Sequence, residues 1–252
     1  MTNNHKKVII NADDLGLLPG VTYGILYAHQ FGLVSSTTAM VNTSFAKSSL
    51  EETKKYPELG VGLHWVLDAG QPIFSSKSSL TDHKGFFKKG KELIQSANKQ
   101  DLKNELEAQL ELIDTWYGSI THIDSHHHMH LHIPSALEVI IEVAEENGLA
   151  IRTFSESDRK KQITTTDFLN YTFYGEENVT VENLMKILST IKLGTTEVMC
   201  HPAFMDPWLS ETSSYHSTRM KELAVLTSCE IKRLMEEQSI SLIHYGGLAD
   251  GY

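Results

Sequence analysis

Short apolar runs rich in β-branched residues alternate along this chain with longer stretches of helical period, which is typical of parallel strands joined by crossover helices. The predicted strands are KVIIN, SSTTAMVN, LGVGLHW, SITHIDS, LAIRTF, TEVMCHP and ISLIHYG. With 252 residues and no marked change in composition, the chain predicts one α/β domain over residues 1–252. Seven or eight such units favour a TIM-like (β/α) barrel, with a doubly wound open sheet as the alternative.

Three helical stretches between or after these strands are long. The segment DLKNELEAQLELIDTWYG places apolar side chains on one stripe, with Asp101 as its predicted N-cap. The segment PSALEVIIEVAEENG begins with the capping-box pair Ser135 and Glu138 and ends at Gly148. A third helix is predicted over residues 218–237.

Residues 67–100 form the one long irregular stretch, which is rich in Ser, Lys and Gly. Connections of this length in compact domains are often functional lids, although a solvated insertion fits equally well. The letters HKGFFKKGKELI within it predict a short helix.

The charge balance narrows the range of partners. A net charge of −10 without a basic cluster argues against a nucleic acid or an anionic membrane and favours a neutral or cationic ligand. The N-terminal apolar run is shorter than a secretory signal requires, and no window approaches the length of a membrane span. Two cysteines make no disulfide framework, so we expect a reducing, cytoplasmic compartment.

Polar residues end several of the predicted strands. They are Asp13 and Asp14, His64, Asp124 and His126, Arg152, and His201. In a parallel barrel the carboxyl ends of the strands meet at one face, where variable loops carry the reacting groups. We therefore expect these side chains to lie close together although they are far apart in sequence.

The adjacent acids of ADDLG and two of these histidines predict a metal site. Two carboxylates at the end of an apolar strand must be solvated, paired or bound to a cation. One carboxylate with His64 and His126 would leave positions open for water on a divalent metal, as a hydrolase needs. The alternatives are a helix N-cap with a surface acid for ADDLG and a structural role for His64.

The run THIDSHHHMHLHIP holds six of the thirteen histidines in the chain. His126, where the strand opens into the loop, is the favoured ligand. The remaining loop histidines are expected to hydrogen-bond the ligands, contact substrate or face water: His127, His128, His130 and His132. Flexible histidine runs also bind transition metals without doing any chemistry, so the run alone does not decide between these roles.

Six segments occur in the order and setting of a known family. They are INADDLGL, VSSTTAMVN, VGLHWVL, THIDSHHHMHLH, TFYGEE and EVMCHPAF. Together they resemble the YdjC/ChbG-like carbohydrate deacetylases, most of all their chitooligosaccharide (chitin disaccharide) deacetylase branch. The resemblance implies a TIM-barrel-like fold related to the polysaccharide deacetylases. It also implies a small N-acetylated oligosaccharide such as diacetylchitobiose as substrate, and a homodimer.

The same resemblance implies roles for the residues at the strand ends. Asp14, His64 and His126 would bind one divalent metal ion. Asp13 would be the general base, and His201 would act as the acid or stabilise the transition state. Two imidazoles favour Zn²⁺ by ligand softness, whereas members of the family are commonly associated with Mg²⁺.

Substrate contacts are predicted at four further positions, which are Arg152, Tyr174, Asp124 and His128. Arg152 could instead pair with Asp13 in a salt bridge at the barrel end. Tyr174 belongs to a wider set of aromatic residues that could stack on a sugar ring. The other members of that set are Trp65, Phe86, Phe87, Phe204 and Trp208.

Two other functions remain open from the residues alone. His-X-His pairs such as His128 and His130 also occur in metal-dependent amidohydrolase and phosphoesterase barrels, although there the pair usually follows the first strand. A non-catalytic metal-binding or storage protein is the second alternative. In that case several ions would bind per chain, and loss of His64 would hardly matter.

Overall fold

Eight parallel strands form one sheet in the computed structural model, which describes residues 5–153 and 163–251. The strands are β1 (Lys6–Leu15), β2 (Ser36–Ala39), β3 (Gly60–Trp65), β4 (His122–Ser125), β5 (Ala150–Ile151), β6 (Phe168–Asn170), β7 (Gly194–Cys200) and β8 (Ser241–Leu242). The sheet confirms the α/β class and the predicted alternation of strands and helices.

Helices connect the strands on the outside of the sheet. They are α1 (Pro19–Phe31), α2 (Ala46–Thr53), α3 (Gly90–Ser96), α4 (Lys99–Trp116), α5 (Met129–His132), α6 (Pro134–Asn147), α7 (Val181–Ser189), α8 (Pro207–Thr212), α9 (His216–Leu226) and α10 (Cys229–Glu237). Two 3₁₀ turns complete the described chain, at His126–His128 and Tyr245–Gly251. Among the described residues, no helix combines the length and the apolar character that a membrane crossing requires.

The strand order is β5-β4-β3-β2-β1-β7-β6, with β8 paired to the beginning of β1. Followed round the curl, the first seven strands keep their sequence order, as in a barrel, except that no described ladder joins β5 to β6. A hydrogen bond from Ile151 N to the Thr164 carbonyl reaches from β5 toward the segment before β6. The chain therefore forms a single domain around a curled, half-barrel sheet, and the predicted closed TIM barrel is not confirmed.

Strand β1 lies at the centre and is buried on both faces, as is usual for parallel strands. Val8 and Ile10 belong to the main hydrophobic core, whereas Ile9 packs on the other face with Ala150 and Tyr245. The alternation along a strand then places Asn11 and Asp13 on the same side as Ile9. The inside of the curl thus changes from apolar to polar toward the carboxyl end of β1.

Helix α4 begins earlier than the predicted cap. Its N-cap is Asn98, whose Oδ1 accepts from Asp101 N at 2.8 Å. The Asp101 carboxylate accepts from Ser79 N at 2.7 Å instead. The prediction of Asp101 as N-cap was wrong because Asn98 has the extended backbone of a cap, while Asp101 already lies in the first turn.

Two other helix predictions needed correction. Helix α6 has Pro134 in its first turn and Ile133 as N-cap with no side-chain hydrogen bond, so the Ser135–Glu138 capping box does not form. The predicted C-cap at Gly148 is confirmed, with φ 65°. The long helix over 218–237 is divided into α9 and α10, because Ser228 adopts an extended backbone between them.

The irregular stretch 67–100 is tied to helix α4. The Glu105 carboxylate accepts from Ile73 N and Phe74 N, each at 2.9 Å. Leu80, Phe87 and Leu93 from the stretch are buried in the main core. The predicted short helix is α3, and a lid function for the stretch stays a prediction. Strand β6 was not predicted from the sequence, and Phe154 of the predicted strand LAIRTF lies outside the described residues.

Candidate active site

A cavity of about 1060 Å³ opens at the carboxyl ends of the strands. Its lining includes Asp13, Asp14, His64, His126 and His201. These residues follow or end β1, β3, β4 and β7, so the curled sheet brings them together as the strand-end argument predicts.

Adjacent residues of a regular strand point to opposite faces, yet Asp13 and Asp14 both line the cavity. Asp14 has φ 71°, in the left-handed region, and the pairing of β1 with β2 shifts register between Ala12 and Leu15. This irregularity turns both carboxylates toward the same space. Aspartate is among the few non-glycine residues that tolerate such a backbone.

Three ligand atoms converge at the centre of this face. Asp14 Oδ1 lies 3.2 Å from His64 Nε2 and 3.0 Å from His126 Nδ1. The two ring nitrogens are 3.3 Å apart. The other ring nitrogen of His64 lies 2.6 Å from Asp124 Oδ1. A carboxylate behind a ligating histidine fixes its tautomer and orientation, so these residues fit a divalent cation.

The electrostatics of the cluster also favour a cation. Burial alone would lower the pKa of His64, but the carboxylates of Asp124 and Asp14 outweigh it and raise that pKa to about 10. Burial would raise the pKa of Asp14, but Arg219 and His126 hold it well below the usual range of a carboxyl. The pocket therefore keeps an ionised carboxylate and attracts positive charge, either as a proton on His64 or as a metal ion.

Asp13 is held by a different arginine. Arg152 donates from Nη1 and Nη2 to the two carboxylate oxygens, each at 2.7 Å, and Asn11 Nδ2 donates at 2.9 Å. Burial would raise the pKa of Asp13, but the Arg152 guanidinium holds it below the ordinary value. Asp13 is therefore an ionised carboxylate at the edge of the cavity, beside the three candidate metal ligands and not one of them.

Arg152 is fully buried and bound to three acids. Besides Asp13, its Nη1 lies 2.8 Å from Asp124 Oδ2 and its Nε donates to Glu197 Oε1 at 2.8 Å. Tyr245 donates to the other oxygen of Glu197 at 2.5 Å. This network connects the candidate base to strand β7 and to the C-terminal segment.

His201 faces Asp13 from the end of β7, with 3.9 Å between His201 Nε2 and Asp13 Oδ2. Behind it, His201 N donates to Glu222 Oε2, and Nδ1 of its ring lies 3.8 Å from Glu222 Oε1. Tyr215 also donates to this carboxylate, at 2.7 Å. Glu222 is fully buried, so it orients the loop that carries His201 without reaching the cavity itself.

The predicted substrate contacts lie in two kinds of place. Tyr174 and His128 line the cavity, and burial lowers the pKa of His128 to about 3, which leaves a neutral ring there. Arg152 and Asp124 are fully buried, do not line the cavity and bind Asp13 and His64. Their position favours orienting those groups over touching substrate.

Of the wider aromatic set, Tyr174 alone lines this cavity. Trp65 and Phe87 are buried in the core, and the rings of Phe86, Phe204 and Trp208 are exposed elsewhere. Tyr174 stacks on Tyr215 with 4.5 Å between ring centroids.

The histidines of the run differ in burial and in the groups that their side chains contact. His126 lies 3.0 Å from Asp14 in the candidate metal site, whereas His127 is exposed and lies 2.7 Å from Asp68. His130 is fully buried between Ser125 Oγ and the Arg152 carbonyl, so it supports the turn that presents His126. His132 is exposed on the rim of the cavity.

Sequence analysis missed Arg219, Glu222 and Tyr215. Arg219 Nη2 donates to Asp14 Oδ2 at 2.5 Å. Arg219 and Glu222 are both buried on helix α9. A signal for them exists, since Arg219 and Glu222 share a helix stripe with the apolar residues Leu223 and Leu226. Charges on an apolar stripe are almost never buried without a partner.

The fold and the site together define a class: α/β proteins with a curled parallel sheet and a carboxylate–dihistidine cluster at its carboxyl edge. A CE4 esterase from Streptococcus mutans has the same fold at a TM-score of 0.55 and 16% identity, covering 96% of this chain and 88% of that one. The YdjC-like protein family model matches residues 7–237, and the chain belongs to this family.

Curated relatives of nearly full length carry the name carbohydrate deacetylase. One from Geobacillus stearothermophilus is 41% identical over 94% of this chain and 96% of its own length. One from Brevibacillus brevis is 37% identical over 96% of this chain and 99% of its own length. A crystal structure from Enterococcus faecalis, provisionally described as a cellobiose-phosphate cleavage protein, has a TM-score of 0.89 and 33% identity, covering 97% of this chain and 99% of that one.

Proposed function

We propose that this protein is a metal-dependent hydrolase that removes N-acetyl groups from acetylated sugars, with chitooligosaccharides such as diacetylchitobiose as substrates. The observation that supports it most is the placement of Asp13 and His201 beside the Asp14–His64–His126 triad in one cavity. Relatives named carbohydrate deacetylases supply the class of substrate. A cytoplasmic location is part of the proposal and rests on the composition of the chain.

Asp14, His64 and His126 would hold one divalent cation. When bound, the cation polarises the acetyl carbonyl and makes a water molecule more acidic. The two imidazoles favour Zn²⁺ or another transition metal, while the resemblance to the family favours Mg²⁺. Reconstitution of metal-free protein with each ion, followed by measurement of acetate release, decides between them.

Asp13 and His201 carry the proton transfers. Asp13 stays ionised because Arg152 binds both of its oxygens, so it can take a proton from the attacking water. His201 donates a proton to the amine that leaves when the C–N bond breaks. Glu222 and Arg152 position these two groups from behind the cavity wall. The products are acetate and a free amino sugar.

The open cavity fits a short oligosaccharide. Tyr174 offers an aromatic face about half exposed beside His201, with 5.5 Å between the ring centroids. An aromatic face of this kind stacks on the apolar side of a sugar ring. The neutral His128 supplies a hydrogen-bonding ring on the same wall.

The test is acetate release from diacetylchitobiose, measured beside phosphate release from generic phosphoesters. We expect acetate only, loss of activity on chelation and recovery on adding back metal. His126→Ala should abolish both metal binding and turnover, whereas His83→Ala, an exposed histidine on the 67–100 stretch, should change neither. Phosphate release would favour the phosphoesterase alternative. Several loosely bound ions per chain without turnover would favour a storage protein.

A further inference from the structure

The two buried arginines of the site differ in how completely they are paired. All three guanidinium nitrogens of Arg152 bind carboxylates. Arg219 is also buried, with 6% of its side chain exposed, but within the described chain Nη2 alone has an acceptor, Asp14 Oδ2. Its Nε and Nη1 are buried and have no hydrogen-bond partner among the described residues.

Arg219 lines the cavity. Its guanidinium lies against the Tyr215 ring, 5.8 Å from the centroid, and Nη2 is fixed on Asp14. Leaving charged N–H donors buried without an acceptor is costly, so a group that enters the cavity is expected to supply one.

The unpaired donors belong to a cation, and a charged N–H group binds an ionised acceptor best. The neighbouring acids already have partners, since Asp13 is bound to Arg152 and Asp124 to Arg152 and His64. An anionic oxygen that enters the cavity is therefore the expected acceptor.

We propose that Arg219 is an anion-binding residue that takes the carboxylate of acetate, and the oxyanion that precedes it, through Nη1, the unpaired nitrogen next to Nη2 at the end of the guanidinium. This rests on the proposed function. Water adds its oxygen to the acetyl carbon and gives a proton to Asp13. The C–N bond breaks, its electron pair leaves with the nitrogen, and His201 protonates that nitrogen. The product at this point is acetic acid, and its proton, the second proton of the water, passes to the amine to give an ammonium group. The acetate that remains carries the negative charge next to Asp14, where Arg219 binds it.

The direct test is a titration of sodium acetate into ¹⁵N-labelled protein, metal-free and loaded with Zn²⁺, observed at the arginine Nε resonances. The chain has four arginines, so Arg219→Gln assigns the signal by its loss. We expect acetate to shift the Arg219 resonance and not that of Arg233, which is exposed. An Arg219 resonance that does not respond to acetate overturns the proposal. So does one that responds to inorganic phosphate and not to acetate, because the anion would then belong to the substrate.

Variants give a second measure. Removing a single oxyanion donor typically lowers kcat by about 10²–10³-fold, and we expect Arg219→Gln to fall in that range. It should also weaken acetate inhibition by roughly 10-fold or more, because a charged donor is lost. Both values are measured at saturating Zn²⁺, so that a weaker metal affinity caused by the loss of the Arg219–Asp14 contact does not affect them. Arg233→Gln, the matched surface control, should change neither value. Unchanged acetate inhibition in a folded Arg219→Gln variant overturns the proposal.

Arg219→Lys covers the case in which the Gln variant fails to fold. It keeps a positive charge beside Asp14 but lacks Nη1, so acetate should bind more weakly while the protein stays folded. Wild-type acetate affinity in this variant counts against the proposal. The titration needs no turnover, so acetate binding at Arg219 without deacetylation would overturn the proposed function alone. Deacetylation without such binding would overturn this inference alone.

Discussion

Asp13 and Asp14 are neighbours in sequence, but a different arginine holds each carboxylate. Arg152 binds both oxygens of Asp13, whereas Arg219 takes one oxygen of Asp14 and leaves the other toward His64 and His126. This second oxygen, which lies with the two imidazole nitrogens, makes Asp14 suited to a metal ion. Pairing with Arg152 keeps Asp13 ionised, and an ionised carboxylate is available to accept a proton.

The first prediction at this scale concerns Asp13→Asn. The substitution removes the proton acceptor and leaves the three ligand atoms in place, so turnover should fall by about 10²–10⁴-fold. Metal content per chain, measured by atomic absorption, should stay at the wild-type value. Asp114→Asn, at an exposed position on α4, serves as the control. Retention of most of the activity would place the base elsewhere.

The second prediction concerns the protons that the protein releases when it binds the metal. The pKa of His64 is raised from 6.5 to about 10, so the metal-free ring is protonated near neutral pH and must lose that proton to bind a cation. Calorimetry in buffers of different ionisation enthalpy should show about one proton released per ion near pH 8. Zero release would mean that His64 is already neutral.

The same shift gives a pH dependence for stability. Because the folded-state pKa of His64 lies above the unfolded value, its contribution to metal-free stability is complete below pH 6.5 and is lost as the pH rises through about 10. Thermal melts of the metal-free protein should therefore fall over this range. Melts of the metal-loaded protein, in which this ring carries no proton to lose, should fall less.

At the scale of elements, helix α1 positions the loop that carries His201. A Cβ on Gly24 would lie 2.4 Å from Ala203 Cα and 2.8 Å from Phe204 N. The Gly20 carbonyl accepts from Phe204 N at 2.9 Å. Only a glycine allows the helix to approach this backbone, two residues after the candidate acid.

Gly24→Ala tests this close approach. Alanine favours a helix by about 1 kcal/mol over glycine, but overpacking against a fixed backbone costs about 1–3 kcal/mol. We expect the cost of overpacking to exceed the gain in helix propensity, so urea unfolding should show a net loss of stability. The value of kcat should fall because His201 moves. Gly247→Ala, where the nearest atom would be 3.8 Å away, is the control. A Gly24→Ala protein as stable as wild type would contradict the argument.

At the scale of the whole molecule, the C-terminal segment returns to the inside of the curled sheet. The Tyr245 ring stacks on His122 at 3.9 Å between centroids, and its hydroxyl donates to Glu197. Tyr245 N donates to Ser36 Oγ at 3.1 Å. This one residue thus joins β2, β4 and β7 beneath the network that holds Asp13.

Tyr245→Phe removes one oxygen and keeps the stacked ring. The Glu197 carboxylate then loses a donor in a fully buried place, which should cost about 1–3 kcal/mol of unfolding free energy. Tyr23→Phe, on the exposed face of α1, should stay within about 0.5 kcal/mol of wild type. Denaturant unfolding measures both. Equal stability of the two variants would show that the Glu197 contact adds nothing.

Much of the architecture could be predicted from the sequence because it depends on local rules. Apolar runs of β-branched residues placed seven of the eight described strands, and strand-end polarity selected Asp13, Asp14, His64, His126 and His201 for one face. The end of α6 at Gly148 follows from the left-handed backbone there. These features need only the spacing and type of nearby residues.

Other features depended on which groups meet in space. Asn98, not Asp101, caps α4 because the Asp101 carboxylate already binds Ser79, and only the folded chain brings these groups together. The sheet remains unpaired between β5 and β6 in the described chain, which no periodicity could predict.

The sequence by itself determined the order of strands and the residues at their ends, since hydrophobic period and residue type are local. Tertiary structure alone decided which charges pair, because burial makes the energy of an ion pair depend on distances of a few ångströms between residues far apart in the chain. Arg152 became the partner of Asp13, and Arg219 became the partner of Asp14. That division separates the candidate base from the candidate metal ligand.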